Sequence, residues 1–372
     1  MIKTLHVING LGQGGAERQL SNLVSYYPSE SAIFSIMTPG IMADEVRCSG
    51  VKVYSGESHR AASIGWVSRL RLAIREFQPD VIVGWMYHGN LAASLSRRLG
   101  FSGPILWNVR HSLHDLNKEK VSTRWVIRAG SWLSSTPEKI VYNSAAAASQ
   151  HEAMGFPHEK RIVLPNGFDL ERFKPDAEVR KKVREELGIP YDFFLFGVVG
   201  RSHPMKNHLG WVEALKKINL SGKKFACVIV GSGVSEPDGA LAAAVREAAL
   251  NDIVTLLPAQ TCPEKIYPAL DLLVMPSLWG EGFPNVVGEA MACGVPALVT
   301  NVGDAAIVVG KTGFVVDSGE PKKLAKSALE IMELDQGLLK SYGCSALERV
   351  EHHYGLPAVA QAYGKLIKDA IS

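Results

Sequence analysis

Short apolar runs rich in Val and Ile alternate along the chain with longer segments whose apolar residues return every three to four positions. The runs at 4–8, 32–37, 80–85, 105–109, 139–142 and 161–164 predict strands, and the segments at 15–26, 65–77, 89–98, 121–135 and 144–154 predict helices between them. The alternation resumes with strands at 195–200, 225–230, 253–257, 271–275 and 295–299 and helices near 206–218, 239–249 and 285–292. Strand followed by helix, repeated in each half, is the pattern of a doubly wound, mainly parallel sheet. A charged stretch from Asp169 to Pro190 separates the halves and reads as linker plus short helix, and 321–371 reads as consecutive helices. The expected α/β architecture is two Rossmann-like doubly wound domains facing a cleft, 1–178 and 179–352, with a C-terminal helix over 353–372 packing back on the N-terminal domain. Chemistry is expected in the loops that follow strands, where the carboxyl edges of the sheets gather them.

Composition narrows the function. With 372 residues, 47% of them hydrophobic, the chain has ample core for two domains. Lys and Arg total 40 against 37 Asp and Glu, and the formal charge of +3 is too small an excess for a nucleic-acid binder, so any anion must be held by a local site. The 5 cysteines are widely spaced and lack a C-x-x-C pair, which points to neither a disulfide framework nor a zinc site and suits a reducing cytoplasm. Met1 to Asn9 lacks the regions of a signal peptide, and no stretch reaches the ~18 uninterrupted apolar residues of a spanning helix. Trp125, Arg128 and Trp132 fall about one helical turn apart, near Lys118, Lys120 and Arg124. That spacing fits either a peripheral contact with the inner membrane face or a half-buried helix with a solvated basic face.

Two glycine motifs invite a phosphate reading. Gly10, Gly12 and Gly15 spell G-x-G-x-x-G between the first strand and the first helix, where backbone N–H groups at a helix start can approach phosphate. A nicotinamide site also wants an acid about 20 residues on, and Ser35-Ile-Met-Thr38 supplies none. The cluster therefore stands as a turn lining some ligand, or as a tight turn alone. Gly310-Lys311-Thr312 ends as a P-loop does, but Ala305 stands where the leading glycine belongs.

The segment Gly200-Arg201-Ser-His203-Pro-Met-Lys206 directly follows an apolar strand, and an Arg fork with a Lys point charge in such a loop suits a diphosphate. Farther on, Glu281 and Glu289 stand eight residues apart, one in a loop and one about a turn inside a helix that starts at Pro284 or Asn285. The amides of Asn285 to Gly288 would make an anion site flanked by two acids. Acids beside an anion site make sense if they hold hydroxyls while the amides take phosphate, and a nucleotide sugar presents both.

Glu281-Gly282-Phe283-Pro284-Asn285-x-x-x-Glu289, followed by Ala290-Met-Ala-Cys293-Gly294-Val-Pro296, resembles the E-x7-E signature of family 4 retaining glycosyltransferases with the GT-B fold. Other pieces follow in family order: Gly12 to Glu17, Asn143-Ser144, Pro165-Asn166-Gly167, Gly200-Arg201 with Lys206, Gly231-Ser-Gly233, and Gly303 with Thr312-Gly313. The resemblance implies that Arg201 and Lys206 neutralise the leaving diphosphate, that Glu289 holds the ribose, and that Glu281 holds sugar hydroxyls beside the backbone of Gly282, Phe283, Pro284, Asn285 and Val286. It further implies donor contacts at Gly15, Gly200 and Gly231. The loop Asn108-Val-Arg110-His111-Ser-Leu-His114 resembles the family's N-domain histidine loop, with His111 the catalytic candidate. His111 and His114 could also suggest a metal, but no third ligand is evident and such enzymes usually need none, so no metal and no cofactor beyond the nucleotide-sugar co-substrate are expected. Where many members read Gly-Gly and a Glu, this chain has Asn301-Val-Gly303-Asp304.

The resemblance thus implies sugar transfer from a UDP- or GDP-sugar to a glycan or lipid-linked acceptor with retained configuration, in surface-polysaccharide synthesis at the cytoplasmic side of the membrane. Gly14, Gly15, His88, Asn90 and His111, with Tyr87, would form the acceptor side. The rivals are a nicotinamide oxidoreductase built on the first glycine loop and a nucleotide-sugar-binding module without catalysis.

Overall fold

The computed structural model describes residues 2–12, 14–27, 30–58, 65–113, 116, 121–260 and 262–372. His114, Lys118 and Lys120 lie outside them. The chain divides into two compact units, 1–167 with 356–372, and 168–355.

Unit 1 alternates β1 (Thr4–Ile8), α1 (Gly15–Ser25), β2 (Ser31–Met37), α2 (Met42–Cys48), β3 (Lys52–Ser58), α3 (Trp66–Phe77), β4 (Val81–Trp85), α4 (Met86–Leu95), β5 (Ile105–Val109), α5 (Val121–Leu133), β6 (Lys139–Tyr142), α6 (Ala145–Glu152) and β7 (Arg161–Val163). Among the described residues these strands form a parallel seven-stranded sheet in the order β3-β2-β1-β4-β5-β6-β7. The apolar runs are continuous because helices cover both faces. Leu5, Val7, Phe34 and Trp107 enter one core cluster, while Ile8, Ile33, Trp85 and Leu106 enter the other. The sequence pattern did not predict β3 or α2. As the outer strand of its sheet, β3 is polar and half-exposed, so it carries no apolar run to read. Helix α4 starts three residues earlier than expected, at Met86, whose φ of +59° turns the chain sharply out of β4. Gly89 lets that turn lie on the sheet, since a Cβ there would come within 2.3 Å of the Val7 carbonyl oxygen.

Unit 2 contains α7 (Ala177–Glu186), β8 (Phe194–Val199), α8 (His208–Asn219), β9 (Phe225–Val230), α9 (Ala240–Glu247), β10 (Val254–Leu257), β11 (Leu272–Met275), α10 (Asn285–Ala292), β12 (Ala297–Thr300), α11 (Ala305–Val309), β13 (Phe314–Val316), α12 (Pro321–Met332) and α13 (Gln336–Tyr354). Its parallel sheet runs β10-β9-β8-β11-β12-β13 among the described residues. The expected boundaries at 178 and 352 move to 167 and 355. Phe168 and Phe173 belong to the core of unit 2, and the Phe168 N–H donates to the Tyr354 carbonyl at 2.8 Å. The remaining helix, α14 (Leu356–Ile371), places Val359, Ala360 and Tyr363 in a core cluster of unit 1. No helix of the described residues is long and apolar enough to cross a membrane.

Candidate functional site

Both sheets reverse their strand order once, between β1 and β4 in unit 1 and between β8 and β11 in unit 2. At such a point the connections leave in opposite directions and open a crevice at the carboxyl ends of the strands. The predicted donor residues follow β8 and β11, on either side of the switch in unit 2.

After β8, Gly200 donates its N–H to the Val230 carbonyl at 2.8 Å, and the hydrocarbon chain of Lys206 lies 3.4 Å from where a Gly200 Cβ would stand. Gly231 has a packing role, because a Cβ there would fall 2.0 Å from the Gly200 oxygen. A short turn over Pro204–Lys206, capped by His203 Nδ1 accepting from Met205 N at 3.2 Å, carries Lys206. Asn207, in the left-handed region at φ +54°, ties this turn to the next loop by donating to the carbonyls of Pro276 (3.1 Å) and Gly319 (2.9 Å). Lys206 Nζ then reaches Glu281 Oε1 at 2.6 Å, and Ser277 Oγ donates to the same oxygen at 2.6 Å. Glu281 is only 8% exposed. The structure thus joins two residues that the sequence assigned separately to phosphate and to sugar. Arg201 is exposed and has no ion pair among the described residues.

Pro284 stands at the N-cap of α10, and Glu289 lies one turn inside. Tyr267 donates its hydroxyl to Glu289 Oε2 at 2.6 Å. Burial pushes the Glu289 carboxyl above its ordinary value despite that bond, and pushes the Tyr267 hydroxyl up as well. Two side chains of the expected donor segment are taken up in packing. Phe283 packs with the rings of Phe168 and Tyr354, at centroid distances of 6.0 and 5.4 Å, and is a core residue. Pro284 is buried and has no N–H to give. The segment carries backbone N–H groups at Gly282, Phe283, Asn285 and Val286, and the Val287 N–H donates to Pro284 O at 3.1 Å. The turn at Asn301 to Asp304 closes on the same loop: Gly303 has φ +61°, a Cβ there would come within 2.1 Å of Glu281 O, and Asp304 N donates to Gly282 O at 3.0 Å.

In unit 1, Gly14 caps α1 and Gly15 is its first residue. A side chain at Gly14 would strike Glu17, whose carboxylate oxygen lies 2.1 Å from the Cβ position. Gln19 grips the backbone of Gly167, donating to its carbonyl at 3.1 Å and accepting from its N–H at 3.0 Å. The positive φ of Met86 stores strain beside the switch point, a cost that persists where surrounding structure enforces it. His88 is half-buried, and burial lowers its basicity. Asn90 is buried, and its amide bonds the backbone of Asn108, accepting from the N–H at 3.2 Å and donating to the carbonyl at 3.4 Å. It braces β5. His111 is half-buried just after β5, with Tyr87 Oη 3.2 Å from its Nδ1. Arg110 beside it stacks 5.2 Å from Trp85 and bonds Asn166 and Tyr363. Sequence reasoning missed Ser277, Tyr267 and His151 as partners of these groups, since none carries a local spacing signal. A concavity of about 900 Å³ in unit 1, lined in part by Ile2, Thr4, Ser31 and Tyr363, holds none of the candidate residues. No group of three His, Cys, Asp or Glu suited to a metal occurs among the described residues.

Residues 13–172 match the model of Glycosyltransferase Family 4, and residues 194–334 match that of Glycosyl transferases group 1. The protein is therefore a homologue of glycosyltransferases in both of its units. It is similar to EpsF of Bacillus subtilis (strain 168), with 26% identity over 80% of this chain and 79% of that protein. A D-inositol 3-phosphate glycosyltransferase of Nocardia farcinica (strain IFM 10152) is 33% identical over 62% of this chain, which spans 51% of that relative. Among solved structures, Anabaena Alr3699/HepE in complex with UDP superposes at a TM-score of 0.85 with 20% identity, covering 99% of this chain and 100% of that one. The fold is that of the GT-B glycosyltransferases.

Proposed function

We propose that the protein moves a sugar from a UDP- or GDP-sugar to a glycan or lipid-linked acceptor with retention of anomeric configuration. The observation that carries this reading is the Lys206–Glu281 pair, which ties the loop after β8, where Arg201 also lies, to the loop after β11 that leads into α10, on the two sides of the switch point. Lys206 and Glu281 neutralise each other, so the net positive field on a diphosphate comes from Arg201 and the helix end. An ammonium has three donors; one holds Glu281, and the others serve phosphate. Glu281 is left to accept from sugar hydroxyls through Oε2. Glu289, steadied by Tyr267, accepts from the ribose. Retention rests on the resemblance of the Glu281–Glu289 segment to the retaining families.

In the reaction the acceptor oxygen bonds to the anomeric carbon on the face from which the diphosphate departs. The bond from that carbon to the diphosphate oxygen breaks, and the acceptor proton passes to the departing phosphate. Stabilising the leaving group is the main catalytic contribution. The cations are side chains of the protein, so no metal or further cofactor is required. Gly14, Gly15, His88 and His111 of unit 1 serve the acceptor. UDP-glucose is the first donor to test, because Alr3699/HepE has been solved with it. The setting is the cytoplasmic face of a membrane in polysaccharide synthesis. Val121, Trp125, Arg128 and Trp132 share one exposed stripe of α5, with Trp125 60% and Trp132 78% exposed, and this stripe suits an anionic bilayer surface.

Calorimetric titration with UDP, GDP and NAD, repeated on Arg201→Ala, tests the reading. UDP or GDP binding weakened by the substitution is the expected result, followed by product from a donor and acceptor panel. Tight NAD binding with no response to UDP or GDP would overturn it, and nucleotide binding without any transfer would leave a binding module.

A further inference from the structure

His111 joins a hydrogen-bonded chain from the core that its assigned role does not explain. Tyr87 Oη lies 3.2 Å from His111 Nδ1 and 2.9 Å from His151 Nε2, and His151 Nδ1 lies 2.7 Å from the carbonyl of Ala147. The polarity of the whole chain follows from its inner end. A carbonyl only accepts, so His151 Nδ1 carries the proton. His151 is fully buried among Tyr142, Phe156 and Tyr87, and burial pulls its pKa down to about 4, so the ring is neutral near pH 7. A neutral ring with its proton on Nδ1 accepts at Nε2, and the Tyr87 hydroxyl must be the donor there. The Tyr87 oxygen can then only accept from its other neighbour, His111 Nδ1.

We propose that Tyr87 and His151 are positioning residues that hold the proton of His111 on Nδ1, making Nε2 the nitrogen that accepts from a sugar hydroxyl at the transfer site. The tautomer of a catalytic imidazole is set by the bond its other nitrogen makes, and here that bond is imposed from the core through a fixed donor sequence. Ala147 and His151 belong to α6, Tyr87 to α4, and His111 to the loop after β5, so three segments of unit 1 cooperate in one proton position. A hydroxyl that donates to Nε2 has its lone pairs turned away from the imidazole, which orients it without charge transfer. This inference rests on the reading that His111 serves a sugar acceptor.

The test is nitrogen–proton correlation spectroscopy on histidine-labelled protein without ligand, with His111 assigned by His111→Gln. The expected spectrum of the wild-type chain has the His111 proton on Nδ1, and Tyr87→Phe moves it to Nε2. The same variant is expected to lower kcat about tenfold, with KM for the nucleotide sugar within twofold and the thermal midpoint little changed. A wild-type His111 protonated on Nε2 would overturn the relay, as would an unchanged tautomer and kcat in Tyr87→Phe. The two readings fail differently: no transfer by a wild-type chain with the proton on Nδ1 sinks the transferase reading and the hydroxyl-orienting role, while transfer with the proton on Nε2 sinks the relay alone.

Discussion

Lys206 and Glu281 form an ion pair that is mostly out of water, with side-chain exposures of 17% and 9%. Removing one member strands the other. Lys206→Met is expected to destabilise unit 2 by about 3–5 kcal/mol, read by urea denaturation, whereas adding Glu281→Gln to it recovers most of that loss. Glu281→Gln alone is expected to cut transfer on the order of 100-fold, and full activity in that variant would remove the assignment. The two acids and two cations stood out as candidates in the sequence because Arg201, Lys206 and Glu281 follow strands and Glu289 falls eight residues after Glu281, inside the helix that comes next. Their partners were not. Tyr267 stands 22 residues before Glu289 in a short turn, and nothing in the spacing says that its hydroxyl meets that carboxylate at 2.6 Å. The packing of the Phe283 ring and the Asn90–Asn108 bonds were hidden for a related reason: residue type names what a side chain is able to do, while the fold decides what it touches.

At the scale of elements, the glycines at strand ends set how close loops approach. Gly231→Ala would press a methyl group into the Gly200 carbonyl and shift the loop that carries Arg201 and Lys206. We expect a loss of about 1–3 kcal/mol in stability together with weaker UDP binding, measured by denaturation and calorimetry on the same variant. On α5, Ile127 and Gly130 face the core and the Trp125–Trp132 stripe faces out. The double variant Trp125→Ser with Trp132→Ser is expected to lose most sedimentation with anionic vesicles, and salt should weaken binding of the wild-type chain because Arg124 and Arg128 contribute. Equal sedimentation of variant and wild type would leave α5 as a solvated helix. Central strands were readable because both of their faces are apolar. Of the edge strands, β7 and β10 carry short apolar runs and were readable, while the polar β3 and the three-residue β13 were not.

At the scale of the whole molecule, burial holds His6, His88, His151 and His208 neutral. His6 is brought down to about 3 and His151 to about 4 in unit 1, His208 to about 4 in unit 2, and His88 is lowered as well. Such groups are protonated more readily in the unfolded chain, so their stability contribution is complete above pH 6.5 and falls as pH drops toward the folded values. Each is expected to remove about 1.4 kcal/mol per pH unit in that window. Glu289 acts with the opposite sign in unit 2, because its raised carboxyl binds a proton more readily folded than unfolded. Urea denaturation at pH 7.5 and pH 5 should therefore show unit 1 losing more stability than unit 2, and equal stability at both values would contradict it. Periodicity is a local property, and the sequence by itself determined that there are two doubly wound sheets and singled out the loops after β8 and β11 as the candidate site. Only the tertiary structure decided that Lys206 is spent partly on Glu281, that Asn90 is a brace, that 168–178 and 353–355 belong to unit 2, and that Tyr87 lies between His111 and His151. These are pairings between segments distant along the chain, chosen by how the crossovers pack, and no short-range pattern encodes them.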